Sequence, residues 1–180
     1  RLVARLKAHG IQLVHVMDEW NDRYGMFGGN KLTAVNPAGF RRFVAMVHAR
    51  GMKILAYASS GYFVGSDPDY RKEWSRPNDA LSGWWDLTRC SPASPGWRAY
   101  FLPRMVQILE DYELDGLYND WGYVPNAEKQ VKEPAKDEIV AFRETPEFAG
   151  AMTDLLYLIY SEVKRRGGIY KMHADRTNEP

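Results

Sequence analysis

The chain has 180 residues, 45% of them hydrophobic, and its 24 basic and 23 acidic side chains leave a formal charge of +1. That length supports one domain with a sizeable core, and that composition falls within the globular range and not that of a disordered chain. The even charge balance without a basic block excludes a nucleic-acid partner, no run of about 18 apolar residues is present to span a membrane, and the single cysteine, Cys90, excludes a disulfide framework.

In chain order, Arg1 falls inside a helical pattern, so the segment is expected to begin within a helix. "LKAHGIQLVHVMDEW" closes that helix at Gly10 and opens a strand, Ile11–Met17. Asn36-Pro37 pairs a capping residue with proline at the first helical position. Phe40, Phe43, Val44 and Val47 follow as an apolar stripe at helical spacing. "VHARGMKILAYASS" ends this helix at Gly51 and begins a second strand, Lys53–Ala58. "DPDYRKEWS" predicts a short capped helix with Tyr70 and Trp74 on one side, and "GWWDLT" a third strand, Gly83–Thr88. Ser94-Pro95 starts the next helix, in which Pro103 predicts a kink or a late start. "LEDYELDGLYNDWG" then places Asp115-Gly116 ahead of a fourth strand, Gly116–Asn119. Thr145-Pro146 starts a last helix whose Phe148, Met152, Leu155, Leu156, Ile159 and Val163 form one apolar face, and "VKRRGGIYKMHAD" turns at Gly167 into a fifth strand, Ile169–Met172.

Helices that separate consecutive strands make βαβ units, hence a mostly parallel sheet. Helix-to-strand turns are short. Strand-to-helix segments are long, from Asp18 to Asn36, Ser59 to Asp67 and Asp120 to Thr145. Long loops therefore gather at the C-terminal ends of the strands, where parallel α/β folds build their sites. A full barrel takes roughly 250 residues. The expected fold is α/β, a partial (β/α)8 TIM barrel in which 1–180 form about five parallel strands of a truncated catalytic domain. A self-contained doubly wound sheet is the competing architecture. It would carry a glycine-rich phosphate loop after its first strand, and "DEWNDRYGMFGGN" has no G-x-G-x-x-G.

The strand ends share a chemistry. The first brings Asp18, Glu19, Trp20 and Asp22, and the second Tyr57, Ser59, Ser60 and Tyr62. The third brings Trp85, Asp86, Thr88 and Arg89. Tyr118, Asp120, Trp121 and Tyr123 follow on the fourth, and His173, Asp175 and Arg176 on the fifth. Carboxylates accept hydrogen bonds from sugar hydroxyls, aromatic faces cover the C–H face of a sugar ring, and a carboxylate pair performs glycoside cleavage. A carbohydrate substrate is expected, with Trp20 and Trp121 as ring platforms. Any single aspartate here also fits a turn cap. Trp74 and Trp97 read as helix packing, His9 and His48 as helix-end residues, and His15 as structural. Cys90 has no identifiable histidine partner for nucleophilic work. No H-E-x-x-H is present, and no spacing obliges Asp18, Asp120, His173 and Asp175 to bind a metal; no cofactor is called for.

"VMDEW" and "WWDLTRCSPASPGWRAYFLPRMVQILEDYELDGLYNDWG" resemble the barrel of the alpha-galactosidase-like glycoside hydrolase clan, which includes raffinose-synthase-like and alpha-glucosidase-like members. The resemblance runs from about Ile11 to Asp175. It implies that Asp120 is the nucleophile, that Asp86 is the aspartate after the third strand, and that Asp18 and Glu19 are the acidic pair after the first. It further implies a retaining hydrolase whose acid/base aspartate lies beyond Pro180. The clan's alpha-galactosidases carry lysine two residues before the nucleophile; Tyr118 stands there in this chain. Asp18, Glu19, Trp20, Tyr57, Asp86, Tyr118, Trp121, His173, Asp175 and Arg176 are then expected to contact substrate. A sugar-binding pseudoenzyme and a metal-dependent barrel hydrolase stay open as alternatives, and so does the oligomeric state.

Overall fold

The computed structural model describes residues 1–17, 20–21, 32–75, 87–119 and 146–172. Its helices are α1 (Leu2–Ala8), α2 (Pro37–His48), α3 (Pro95–Asp111) and α4 (Pro146–Arg165). All four deliver the chain towards a strand by the same stop. α1, α2 and α4 are followed by Gly10, Gly51 and Gly167, each with positive φ. The next residue donates its N–H back five positions: Ile11 to Leu6, Met52 to Val47, and Gly168 to Val163. This satisfies carbonyls that the helix itself leaves unpaired. α3 closes identically, Leu114 to Leu109, yet the left-handed residue is Glu113 at φ 53°.

The helix starts follow the capping chemistry. Asn36 Oδ1 accepts from the Gly39 N–H at 2.9 Å, and Ser94 Oγ accepts from the Trp97 N–H at 3.3 Å. Pro103 neither delays nor ends α3. It sits on the exposed side of the helix, where water can hydrate the carbonyl that proline leaves without a donor.

The strands are β1 (Leu13–Val16), β2 (Lys53–Tyr57), β3 (Tyr62–Val64), β4 (Leu87–Arg89), β5 (Gly116–Asn119) and β6 (Ile169–Met172). Four of them form a parallel sheet in the order β1-β2-β5-β6. The architecture is α/β, and the sheet corresponds to part of a (β/α)8 barrel. One expectation is corrected. Of the third predicted strand, Gly83–Thr88, only Leu87 and Thr88 are described; they lie in β4, which pairs antiparallel with β3 and not with the parallel sheet. A parallel neighbour needs a long crossover, usually a helix. Among the described residues, the chain between β2 and β4 holds only β3 and a 3-10 turn at Lys72–Trp74. α3 makes the crossover instead and carries the chain to β5, directly beside β2. β3, at three residues, is too short to show a period in sequence.

The two faces of the sheet differ. Ile54, Ala56 and Leu117 pack with Val44 and Val47 of α2, Met105 and Ile108 of α3, and Leu155, Ile159 and Val163 of α4. The alternate positions His15, Leu55, Tyr57, Tyr118 and Lys171 share the opposite face, in rows set by the register Tyr57↔Tyr118↔Lys171. β2 beyond Lys53 and all of β5 are buried on both faces, as central parallel strands are. Under β3 and β4 lies an aromatic cluster of Phe63, Tyr70, Trp74, Trp97 and Tyr100. Trp97, Phe63 and Phe101 are almost fully buried, each contributing about 1.5–3 kcal/mol by leaving water.

The N-terminal end of the sheet is tied by Asp115. Its Oδ2 accepts from the Ile54 N–H at 2.8 Å and lies 2.8 Å from His48 Nε2, while Oδ1 lies 3.4 Å from Lys53 Nζ. His48 is thus more than a helix-end residue, since it joins α2 to the start of β5.

Candidate functional site at the C-terminal rim of the sheet

The rim is where the backbone ladder runs out. Among the described residues, the last backbone bond between the end of β2 and β5 runs from the Ala58 N–H to the Tyr118 carbonyl at 2.8 Å. At the next residue of β5, Asn119, a side chain makes the link. Asn119 is 1% exposed and lies on the helix side of β5. Its Oδ1 accepts from the Ser60 N–H at 3.0 Å, and its Nδ2 donates to Ser60 Oγ at 2.9 Å and to the Tyr170 hydroxyl at 2.8 Å. A backbone N–H can only donate, so the amide has one possible orientation. Trp97 Nε1 of α3 donates to the Ser60 carbonyl at 2.9 Å. β5, β6, α3 and the segment after β2 are therefore joined at one point. Burial pushes the Tyr170 phenol up to about 12, against the lowering effect of the Asn119 N–H, so it stays neutral at ordinary pH.

On the other face, Tyr118 packs with its neighbours. Its ring meets His15 edge-on at 4.1 Å between centroids and lies 6.0 Å from the Tyr57 ring. Lys171 Nζ stands 5.1 Å from the centre of the Tyr118 ring, within cation–π range. Tyr57 and Tyr118, both expected at the site, are thus side by side, at 3% and 7% exposure.

Trp20 is a correction. Its ring stacks on Phe40 at 4.8 Å and meets Tyr112 edge-on at 5.8 Å, and its Nε1 donates to the Tyr57 carbonyl at 2.9 Å. With one face covered by Phe40 and 7% exposure it is a core residue, not a platform. The apolar side of α2 needed a partner, and Trp20 supplies it. Asp18, Glu19, Asp86, Asp120, Trp121, His173, Asp175 and Arg176 lie outside the described residues.

Asn119, Tyr170, His15 and Lys171 were not singled out from sequence as site residues. For Asn119 a signal exists, because strand alternation puts it on the helix side, where a buried amide must find partners. Cys90 is buried, and burial drives its thiol far above the ordinary range, away from nucleophilic use. Among the described residues no group of His, Cys, Asp and Glu could hold a metal, and no helix is long and apolar enough to cross a membrane.

No protein-family model matches the sequence, and no curated protein matches it. Solved structures do match in fold. An alpha-galactosidase from Lactobacillus brevis superposes with a TM-score of 0.69 over 96% of this chain, at 16% identity. An alpha-galactosidase from Thermus thermophilus, solved with stachyose, gives 0.65 over 96% at 13% identity. A maltogenic alpha-amylase from Thermotoga neapolitana gives 0.52 over 76% at 18% identity. The chain spans 24%, 35% and 37% of those three proteins, respectively. At such identities the likeness is one of fold: a portion of a glycosidase-type TIM barrel.

Proposed function

We propose that this segment is the nucleophile-bearing part of a retaining glycoside hydrolase, with Asp120 as the nucleophile. The observation that carries the reading is β5. It is a central strand of a sheet that shares its fold with alpha-galactosidases over 96% of the chain, and Asp120 is the residue that follows its last one, Asn119. Sites in parallel barrels are built at this end of the strands.

In the proposed reaction the Asp120 carboxylate attacks the anomeric carbon while a carboxylic acid about 5 Å away protonates the departing oxygen. Water then displaces the aspartyl ester with the second group acting as base. Splitting the displacement in two depends on the carboxylate at 120. Asp18, Glu19 and Asp86 hold sugar hydroxyls in this reading, and Tyr118 with Tyr57 floors the site beneath them.

The test uses full-length protein carrying this segment, assayed on aryl α-galactosides and aryl α-glucosides. Asp120→Asn should reduce turnover by roughly three orders of magnitude, about 4 kcal/mol of transition-state stabilisation. Binding should change little, since asparagine keeps one acceptor oxygen. Asp18→Asn should raise KM as well as lower kcat. Turnover by Asp120→Asn within a few-fold of the parent sinks the assignment. Sugar binding by the parent without turnover of any glycoside identifies a pseudoenzyme instead.

A further inference from the structure

We infer that Asn119, held by Ser60 and Tyr170, is a positioning residue that sets the approach of the nucleophile. The inference rests on the assignment of Asp120 above. Three observations carry it. The first is place: among the described residues the last backbone bond between this end of β2 and β5 is at Tyr118, and the amide network begins at the next residue. The second is cost. A leucine at 119 would satisfy the helix side by packing alone, as Leu117 does at 1% exposure. An amide there must instead satisfy three partners at once, the buried Ser60 N–H and Ser60 hydroxyl and the partly buried Tyr170 hydroxyl. Each of these partners, left alone, costs about 1–3 kcal/mol. The third is reach. Through Ser60 and Tyr170 the network fastens the tip of β5 to both neighbouring strands, and through Trp97 to α3.

The physical consequence follows from directionality. Apolar packing tolerates small rotations and slides; three hydrogen bonds of fixed direction at a single amide do not. The Cα of residue 119 is therefore held against the segment after β2 and against β6. The next residue takes its starting point from that atom. A nucleophile works only from near-attack geometry, and an error of about 1 Å can cost on the order of a hundredfold in rate. The network thus acts on the rate of attack and not on the affinity for sugar.

The decisive variants are Tyr170→Phe, Ser60→Ala and their combination, studied in the full-length protein beside Asp120→Asn. Tyr170→Phe removes one hydroxyl and keeps the ring; Ser60→Ala keeps its N–H bond to Asn119. The combined variant is expected to fold, by circular dichroism and a cooperative melt. Its kcat should be lower by about ten- to a hundredfold, with KM within about threefold of the parent. A role confined to stability would lower the melting temperature and leave kcat per folded molecule unchanged well below it. Parent-like kcat in the folded double variant overturns the inference and leaves the nucleophile assignment standing. Parent-like turnover by Asp120→Asn overturns that assignment, and the positioning role with it. If the double variant does not fold, Tyr170→Phe alone decides the matter by the same split between kcat and KM.

Discussion

Asp115 shows how one carboxylate can hold several elements together. Burial alone would raise its pKa. The bonds from His48, the Ile54 N–H and Lys53 outweigh that effect and hold it below the ordinary carboxylate value. A carboxyl group depressed in the folded state contributes stability that is complete above its unfolded value of about 3.9. That contribution is lost as pH falls through the lower folded value. Asp115→Asn should therefore cost about 1.5–3 kcal/mol at pH 7, the range for hydrogen bonds to a charged group. Parent and variant should converge towards pH 2. Urea unfolding at both pH values checks this, and an equal gap at the two would count against the ion-pair account. The cluster lies at the N-terminal end of the strands, so activity per folded molecule should not change.

The four helix stops differ in a single residue, and the difference is measurable. Glu113 holds a left-handed conformation that Gly10, Gly51 and Gly167 hold in the other three. A side chain in that region costs roughly 1–2 kcal/mol, so Glu113→Gly should stabilise the protein by about 1 kcal/mol after the entropy cost of glycine. Three residues later the sign reverses. A Cβ on Gly116 would collide with the Ile169 carbonyl across the β5–β6 pairing. Gly116→Ala should destabilise the fold and weaken the protection of β6 amides in hydrogen exchange. Urea midpoints of the two variants should move in opposite directions. A gain in stability for Gly116→Ala would mean that β6 does not pair with β5 as described.

The four-stranded sheet has two outer strands, β1 and β6, each paired on one side among the described residues. Leu13 and Met17 beside one edge are 39% and 47% exposed, and Met172 on the other is 37% exposed. Open edges with apolar side chains template further pairing. The isolated 180-residue chain is therefore expected to self-associate with rising concentration in sedimentation velocity, and Leu13→Lys should reduce it. A monomer at all concentrations with a sharp, reversible melt would refute the expectation. In the larger alpha-galactosidases whose fold this chain shares, it corresponds to 24% to 35% of the length.

Local chemistry determined the elements. Asn36-Pro37 and Ser94-Pro95 start helices, and Gly10, Gly51 and Gly167 end them, because these residues satisfy or release backbone groups within a few positions of themselves. Apolar runs placed β1, β2, β5 and β6, and their alternation with helices made the sheet parallel. Pairing was decided elsewhere. An extended segment carries no mark of its partner, so Leu87 and Thr88 read as the end of a barrel strand, whereas in β4 they pair with β3. Trp20 had the composition of a sugar platform, and only the position of Phe40 and Tyr112 made it core. The network at the rim is the clearest case. Asn119, Ser60 and Tyr170 are separated by more than fifty residues in the chain, and their meeting is a property of the register of three strands. A sequence states which groups must be satisfied; the tertiary fold decides by what, because the partners converge only when the strands pair.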